Sequence, residues 1–145
     1  MPTTRTSGDL SVTTAEHPTA LRMRESFAAF ARGDLETVRQ NMTADVVWTN
    51  AGTSPLAGTH RGWDEVLAMF VRLTEITEGT FGIDLVSVLA DDLHSVAIYD
   101  STATIQGVTG TDRTVLVDEL DANGKVRAVH LMAYDQATAD ARLSG

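Results

Sequence analysis

Two hydrophobic periods divide the chain. From Thr19 to about Thr74 apolar residues return every three or four positions, and after Gly79 they alternate with polar ones. In the first part Leu21, Met23, Phe27, Phe30 and Ala31 fall at near-helical spacing, with Arg22, Arg24, Glu25 and Arg32 mostly on the other side. That pattern predicts an amphipathic helix. Gly33-Asp34 ends it, since glycine suits the left-handed position after a helix and Asp34 can cap a short second helix over Leu35 to Met42. Asp45 to Asn50 reads as a strand that places Trp48 and Asn50 on one face. Ala51 to Gly62, with three glycines and a proline, reads as a loop, and Trp63 to Thr74 as a third helix.

The alternating part holds four β-rich runs: Thr80 to Ala90, Ser95 to Gly107, Arg113 to Leu120 and Lys125 to Tyr134. Turns are expected at Asp91-Asp92, over Gly107 to Asp112, and at Asp121-Ala122-Asn123-Gly124, where Asn-Gly is a strong hairpin signal. Helices first and a meander afterwards predict an α+β fold, three N-terminal helices packed on a strongly curved antiparallel sheet. Residues 1–18, rich in Thr and Ser, read as a flexible N-terminal arm, and 19–145 as one domain.

Composition narrows the partners. The net charge of -9 and the lack of any Lys/Arg cluster argue against nucleic acid and anionic membranes. There is no cysteine, which excludes disulfides and thiolate metal sites. No apolar run reaches the length of a membrane span and the first residues lack a leader pattern, so a cytoplasmic protein is the expectation. The histidines show no metal-ligand spacing, and neither a phosphate-binding glycine loop nor a nucleophile elbow is present, so no metal or cofactor is expected.

The segments AFARGDLETV, ADVVW, PLAGTHRG, GTF, VLADDLHSV and ANGKVRAVHLMAYDQ, in this order and spacing, resemble the SnoaL-like branch of the nuclear transport factor 2 superfamily. The resemblance covers about Thr19 to Leu143. It implies a cone with a largely apolar cavity at its wide end and a homodimer through the outer face of the sheet. It also implies polyketide cyclase, ketosteroid isomerase, epoxide hydrolase or dehydratase chemistry, or no reaction at all. The position of the isomerase base falls on Thr49. Trp48-x-Asn50 resembles the Tyr-x-Asn pair of the limonene-type hydrolases, whose last-strand aspartate falls on Met132 and whose Arg-x-Asp pair falls near Thr102 and Thr104. His130 matches the histidine of the cyclases' His-Trp-Asp run, with Leu131 and Met132 in the other places.

Together with the residues, the resemblance implies a cofactor-free acid/base enzyme, a cyclase or isomerase acting on a small, largely apolar oxygenated molecule such as a polyketide or steroid-like compound. His130, whose ordinary pKa lies near working pH, and Asp100, if its strand face points inward, would move protons. Asn50 would orient a carbonyl or water. Trp48, Phe27, Phe30, Met69, Phe70, Thr102, Met132 and Tyr134 would line the pocket. Asp118 and Glu119 are adjacent on one strand, so one faces each way, toward the cavity or toward the rim or dimer interface. The alternative is a small-molecule-binding protein that keeps the fold without the catalytic carboxylates.

Overall fold

α1 (Pro18–Ala31) begins on a proline, whose missing N–H costs nothing at that position, and the His17 side chain caps it by accepting a hydrogen bond from the Thr19 N–H at 3.0 Å. The computed structural model describes residues 16–145, so the arm read over 1–18 falls almost entirely outside the described residues. Gly33, at φ +78°, turns the chain, and Asp34 caps α2 (Leu35–Gln40) by accepting from the Thr37 N–H. Then follow β1 (Met42–Asn50), β2 (Gly58–Arg61), α3 (Gly62–Ile76), β3 (Gly82–Ala90), β4 (His94–Ile105), β5 (Val108–Leu120), β6 (Val126–Ala133) and α4 (Gln136–Leu143).

The six strands form one curved, open sheet in the order β2-β1-β6-β5-β4-β3. Its neighbours are antiparallel except for β1 and β6, which run parallel and join the first long strand to the last. Five features depart from the sequence reading. The loop over 51–62 contains β2, paired with β1 from Val47↔Arg61 to Asn50↔Gly58. The turn expected over 107–112 is instead the two residues Gln106 and Gly107, both at positive φ, so β5 starts at Val108. β1 starts at Met42 rather than Asp45, and α4 was not foreseen. Leu21, assigned to the apolar stripe of α1, is 55% exposed.

The core lies between the helices and the concave face. Val46, Val66, Ala29 and Ala97 are fully buried. An edge-to-face aromatic chain runs Trp48–Phe70–Phe30–Phe81, with centroids 5.4, 5.2 and 6.1 Å apart, and Trp63 joins at Phe70. Such contacts add to plain area burial and fix ring orientation.

One amide ties strand, loop and helix together. The Trp48 indole N–H donates to Asn50 Oδ1 at 2.7 Å, while Asn50 Nδ2 donates to the Leu56 carbonyl at 2.8 Å and lies 3.0 Å from Met69 Sδ. Because Asn50 is buried, replacing it by an apolar residue strands the indole N–H, at about 1–3 kcal/mol, while the Leu56 carbonyl keeps the His60 ring N–H at 3.0 Å as a donor. Asn50→Leu is therefore expected to lose about 1–3 kcal/mol in urea unfolding. A loss below about 0.5 kcal/mol would show that water replaces the amide.

Candidate functional site

The helices stand off the concave face of the sheet and leave a cavity of about 200 Å³. Its helical wall carries Met23, Phe27, Phe30, Met69, Phe70 and Leu73. Its floor is built in rows across the strands. Trp48, Val129, Asp118 and Ser95 form one row, and Asn50, Leu131, Leu116 and Ala97 the next. Thr114 and Tyr99 stand in the row beyond, and Asp112 and Ser101 in the one after that. Nearly all of these side chains are apolar or small, so the charged ones stand out.

Asp118 is the first. It is 2% exposed, Ser95 Oγ donates to its Oδ2 over a long 3.5 Å, and its Oδ1 has no partner among the described residues. Burial in so apolar a place disfavours the carboxylate and pushes its pKa up to about 7, which the weak Ser95 hydrogen bond offsets only slightly. A carboxyl with one unpartnered oxygen, in a residue that lines a cavity, and balanced near neutrality can both take and give a proton. Tyr99 faces the same cavity, its ring 5.2 Å from that of Phe27. Burial, and then the charge of Asp118, keep its phenol protonated far above neutral pH. No hydrogen bond from its hydroxyl to another described residue occurs, so the O–H is available to a ligand.

The second charged feature lies toward the other end of β5. Arg142, on α4, donates through Nε and Nη2 to the two oxygens of Asp112 at 2.9 and 3.1 Å. Both residues line the cavity. α4 is pinned across this end by the Thr53 N–H donating to Asp140 at 3.0 Å and by Gln136, whose Oε1 accepts from the Ala133 N–H at 2.9 Å.

Strand alternation sends several of the expected residues outward. Asp100 lies on the convex face, where Arg113 opposite it on β5 donates to both carboxylate oxygens at 2.9 Å and holds its pKa below the ordinary carboxylate range. His130 is also on that face, its Nε2 3.3 Å from Glu119, which in turn accepts from Arg127 at 2.9 Å. Neither His130 nor Asp100 touches the cavity, and the proton-moving pair inferred from the sequence is not assembled. Thr102 bonds Thr111 on the outer face, and Met132 and Tyr134 are 38% and 64% exposed, so none of the three lines the pocket. Trp48, Phe27, Phe30, Met69 and Phe70 do line it. Asn50 lines it as well, but its amide is committed to Trp48, Leu56 and Met69. His60 bonds the Leu56 carbonyl at 3.0 Å within its loop. Among the described residues no three His, Asp or Glu side chains cluster as metal ligands, and no helix is long and apolar enough to cross a membrane.

Comparison with known proteins gives a consistent pattern. The SnoaL-like domain family matches residues 23–133. A protein of Mycobacterium tuberculosis, Rv0034, described as uncharacterized, is 31% identical over 119 residues, covering 81% of this chain and 90% of its own. The solved structure of Bal32a, from a soil-derived mobile gene cassette, is 31% identical, with a TM-score of 0.81, covering 86% of this chain and 95% of that one. TerC, co-crystallised with polyporic acid, shares the fold at 17% identity and a TM-score of 0.78, covering 89% of this chain and 100% of its own.

The raised pKa of Asp118 has a thermodynamic consequence. In the unfolded chain the carboxyl ionises near pH ~4. Between there and about pH 7 the folded state therefore holds a proton that the unfolded state has lost, so stability from this group falls as pH rises. The total is about 4 kcal/mol, and it is complete above pH 7. Urea unfolding of the natural chain and Asp118→Asn at pH 5 and pH 8 should show the variant with the smaller difference between the two pH values and the greater stability at pH 8. Equal pH dependence in the two proteins would place the carboxyl in a wetter setting than this one.

Proposed function

The chain belongs to the SnoaL-like family, and on that premise we propose that it is a cofactor-free enzyme that transfers a proton beside the carbonyl of a small cyclic ketone, with isomerisation or ring closure as the outcome. Asp118, a buried carboxyl with one unpartnered oxygen among the residues that line an apolar cavity, carries the reading. As a carboxylate it removes a proton from the carbon next to the ketone, and the charge that develops on the ketone oxygen is met by the Tyr99 O–H. Where the ketone carries a neighbouring C=C bond, the enolate is a conjugated dienolate, and the proton held on Asp118 is returned at its far carbon, which shifts the double bond and isomerises the molecule. If the enol carbon attacks a second carbonyl of the same molecule, a ring closes and the proton goes to the new alkoxide. A placed acid/base group contributes about 10²–10⁴-fold, and a preorganised donor at the developing oxyanion adds to it.

The size of the cavity narrows the substrate. Benzene occupies an engineered cavity of about 150 Å³, so about 200 Å³ suits a one- or two-ring molecule better than a four-ring steroid. TerC, crystallised with polyporic acid, supports a ring compound as the class. A cytoplasmic homodimer completes the proposal. Its contact would be the outer face of the sheet, where Val96, Ile98, Val115 and Val117 form an apolar band between β4 and β5.

Incubation with a panel of one- and two-ring ketones in heavy water, followed by mass spectrometry, tests the reading. The natural chain is expected to exchange the hydrogens next to the carbonyl. Asp118→Asn should slow this at least about 100-fold, and Tyr99→Phe about 10-fold or more, while both variants still bind. Ketones that bind without exchange in the natural chain would favour a ligand-binding protein instead.

A further inference from the structure

The cavity has two polar poles, and proton transfer at Asp118 uses only one. At the other, Asp112 engages Nε and Nη2 of Arg142 and leaves Nη1 without an acceptor among the described residues. The guanidinium is not a surface group that happens to touch a carboxylate, since the side chain of Arg142 is only 23% exposed and that of Asp112 17%. Space has been made for it. Nη1 lies over Gly110, where a methyl group would collide with it, and Gly110 itself lines the cavity in a strand conformation that needs no glycine for its backbone. The other polar side chain that α4 brings to this end, Gln136, already serves the Ala133 N–H, the Ala51 carbonyl and Asp140. Arg142 is thus the donor at this end with N–H groups to spare.

We propose that Arg142 reads the far end of the ligand, donating there to a neutral oxygen of a ketone, ether or hydroxyl through the N–H groups that Asp112 does not use. The inference rests on the reading of this cavity as a site for small cyclic ketones. A carboxylate is disfavoured because it would share one guanidinium with Asp112 at close range, and the net charge of -9 adds to the repulsion. A carbonyl or hydroxyl meets the same donors without that conflict. Asp112 and Asp118 lie six positions apart on one face of β5. The free Nη1 lies over Gly110, two positions further on, so the poles are up to about 27 Å apart along the strand, and nearer across the hollow of the curved sheet. The substrate class that follows is an elongated, apolar, ring-containing molecule with a reactive ketone toward Asp118 and Tyr99 and a second neutral oxygen at the opposite end.

Calorimetric binding of β-tetralone carrying hydrogen, acetyl or carboxylate at the position farthest from its ketone tests this. A hydrogen bond from a charged donor is worth about ten- to a hundred-fold in affinity. The acetyl compound should bind the natural chain at least about tenfold more tightly than the parent, and the carboxylate should gain nothing. In Arg142→Met, and separately in Gly110→Ala, which keeps the arginine but pushes it aside, the ratio of acetyl to parent affinity should fall to within about twofold of unity. A ratio that survives in both variants, a carboxylate that binds tightest, or no preference in the natural chain overturns the inference. With β-tetralone bound and exchanging its hydrogens, such results leave the proton-transfer reading standing. If β-tetralone and its derivatives neither bind nor exchange, that reading and this inference fail together.

Discussion

A carboxyl group taken out of water without a full set of partners is the constraint from which the rest of this site follows. Asp118 is almost fully buried on the concave face, and the long hydrogen bond from Ser95 does not compensate for lost hydration. The group holds its proton to about neutral pH, which is costly for folding and useful for chemistry. Everything around it keeps water away. The edge-to-face aromatic chain fixes the helical wall, and the Asn50 amide pins β1, its loop and α3 in place.

The same architecture separates two populations of charge. On the convex face, Asp100–Arg113 and Glu119–Arg127 are exposed cross-strand pairs of the kind that contribute little to stability. On the concave face, Asp118 and the Arg142–Asp112 pair are largely buried, and each must be satisfied by the protein or by what enters the cavity. Charges of the first kind are numerous in this acidic chain. Those of the second kind are few and define the polarity of the pocket.

Much of the fold was legible because periodicity, glycine position and the order of elements are local features. The 3.6-residue stripe of α1, Gly33 with Asp34, and the Asn-Gly turn between β5 and β6 each act over a few residues, and the structure contains each of them. Which residues face the cavity was not legible in the same way. A period of two says which residues share a face, not which face is concave. Here both faces of β5 are apolar, Leu116 and Leu120 inward, Val115 and Val117 outward, so composition does not break the tie. The deciding clue was the register of the β4–β5 hairpin. Read as a six-residue turn, it hides the pairing of Asp100 with Arg113. With Gln106-Gly107 as a two-residue turn of positive φ, that pairing marks the outer face and leaves Asp118 inside. Gln-Gly is a weaker signal than Asn-Gly, and α4, which carries Arg142, offers only a short run after the Asp135 cap.

Proton transfer in this cavity depends most directly on the ionisation of one group. A carbon-13 nuclear magnetic resonance titration of the aspartate carboxyls, with Asp118 assigned through Asp118→Asn, measures it without a substrate. The account predicts a midpoint close to pH 7 for Asp118, displaced when a phenol or ketone occupies the cavity. A midpoint in the ordinary carboxylate range near pH ~4, indifferent to ligand, would contradict the claim that this carboxyl is buried, bare and poised to move a proton.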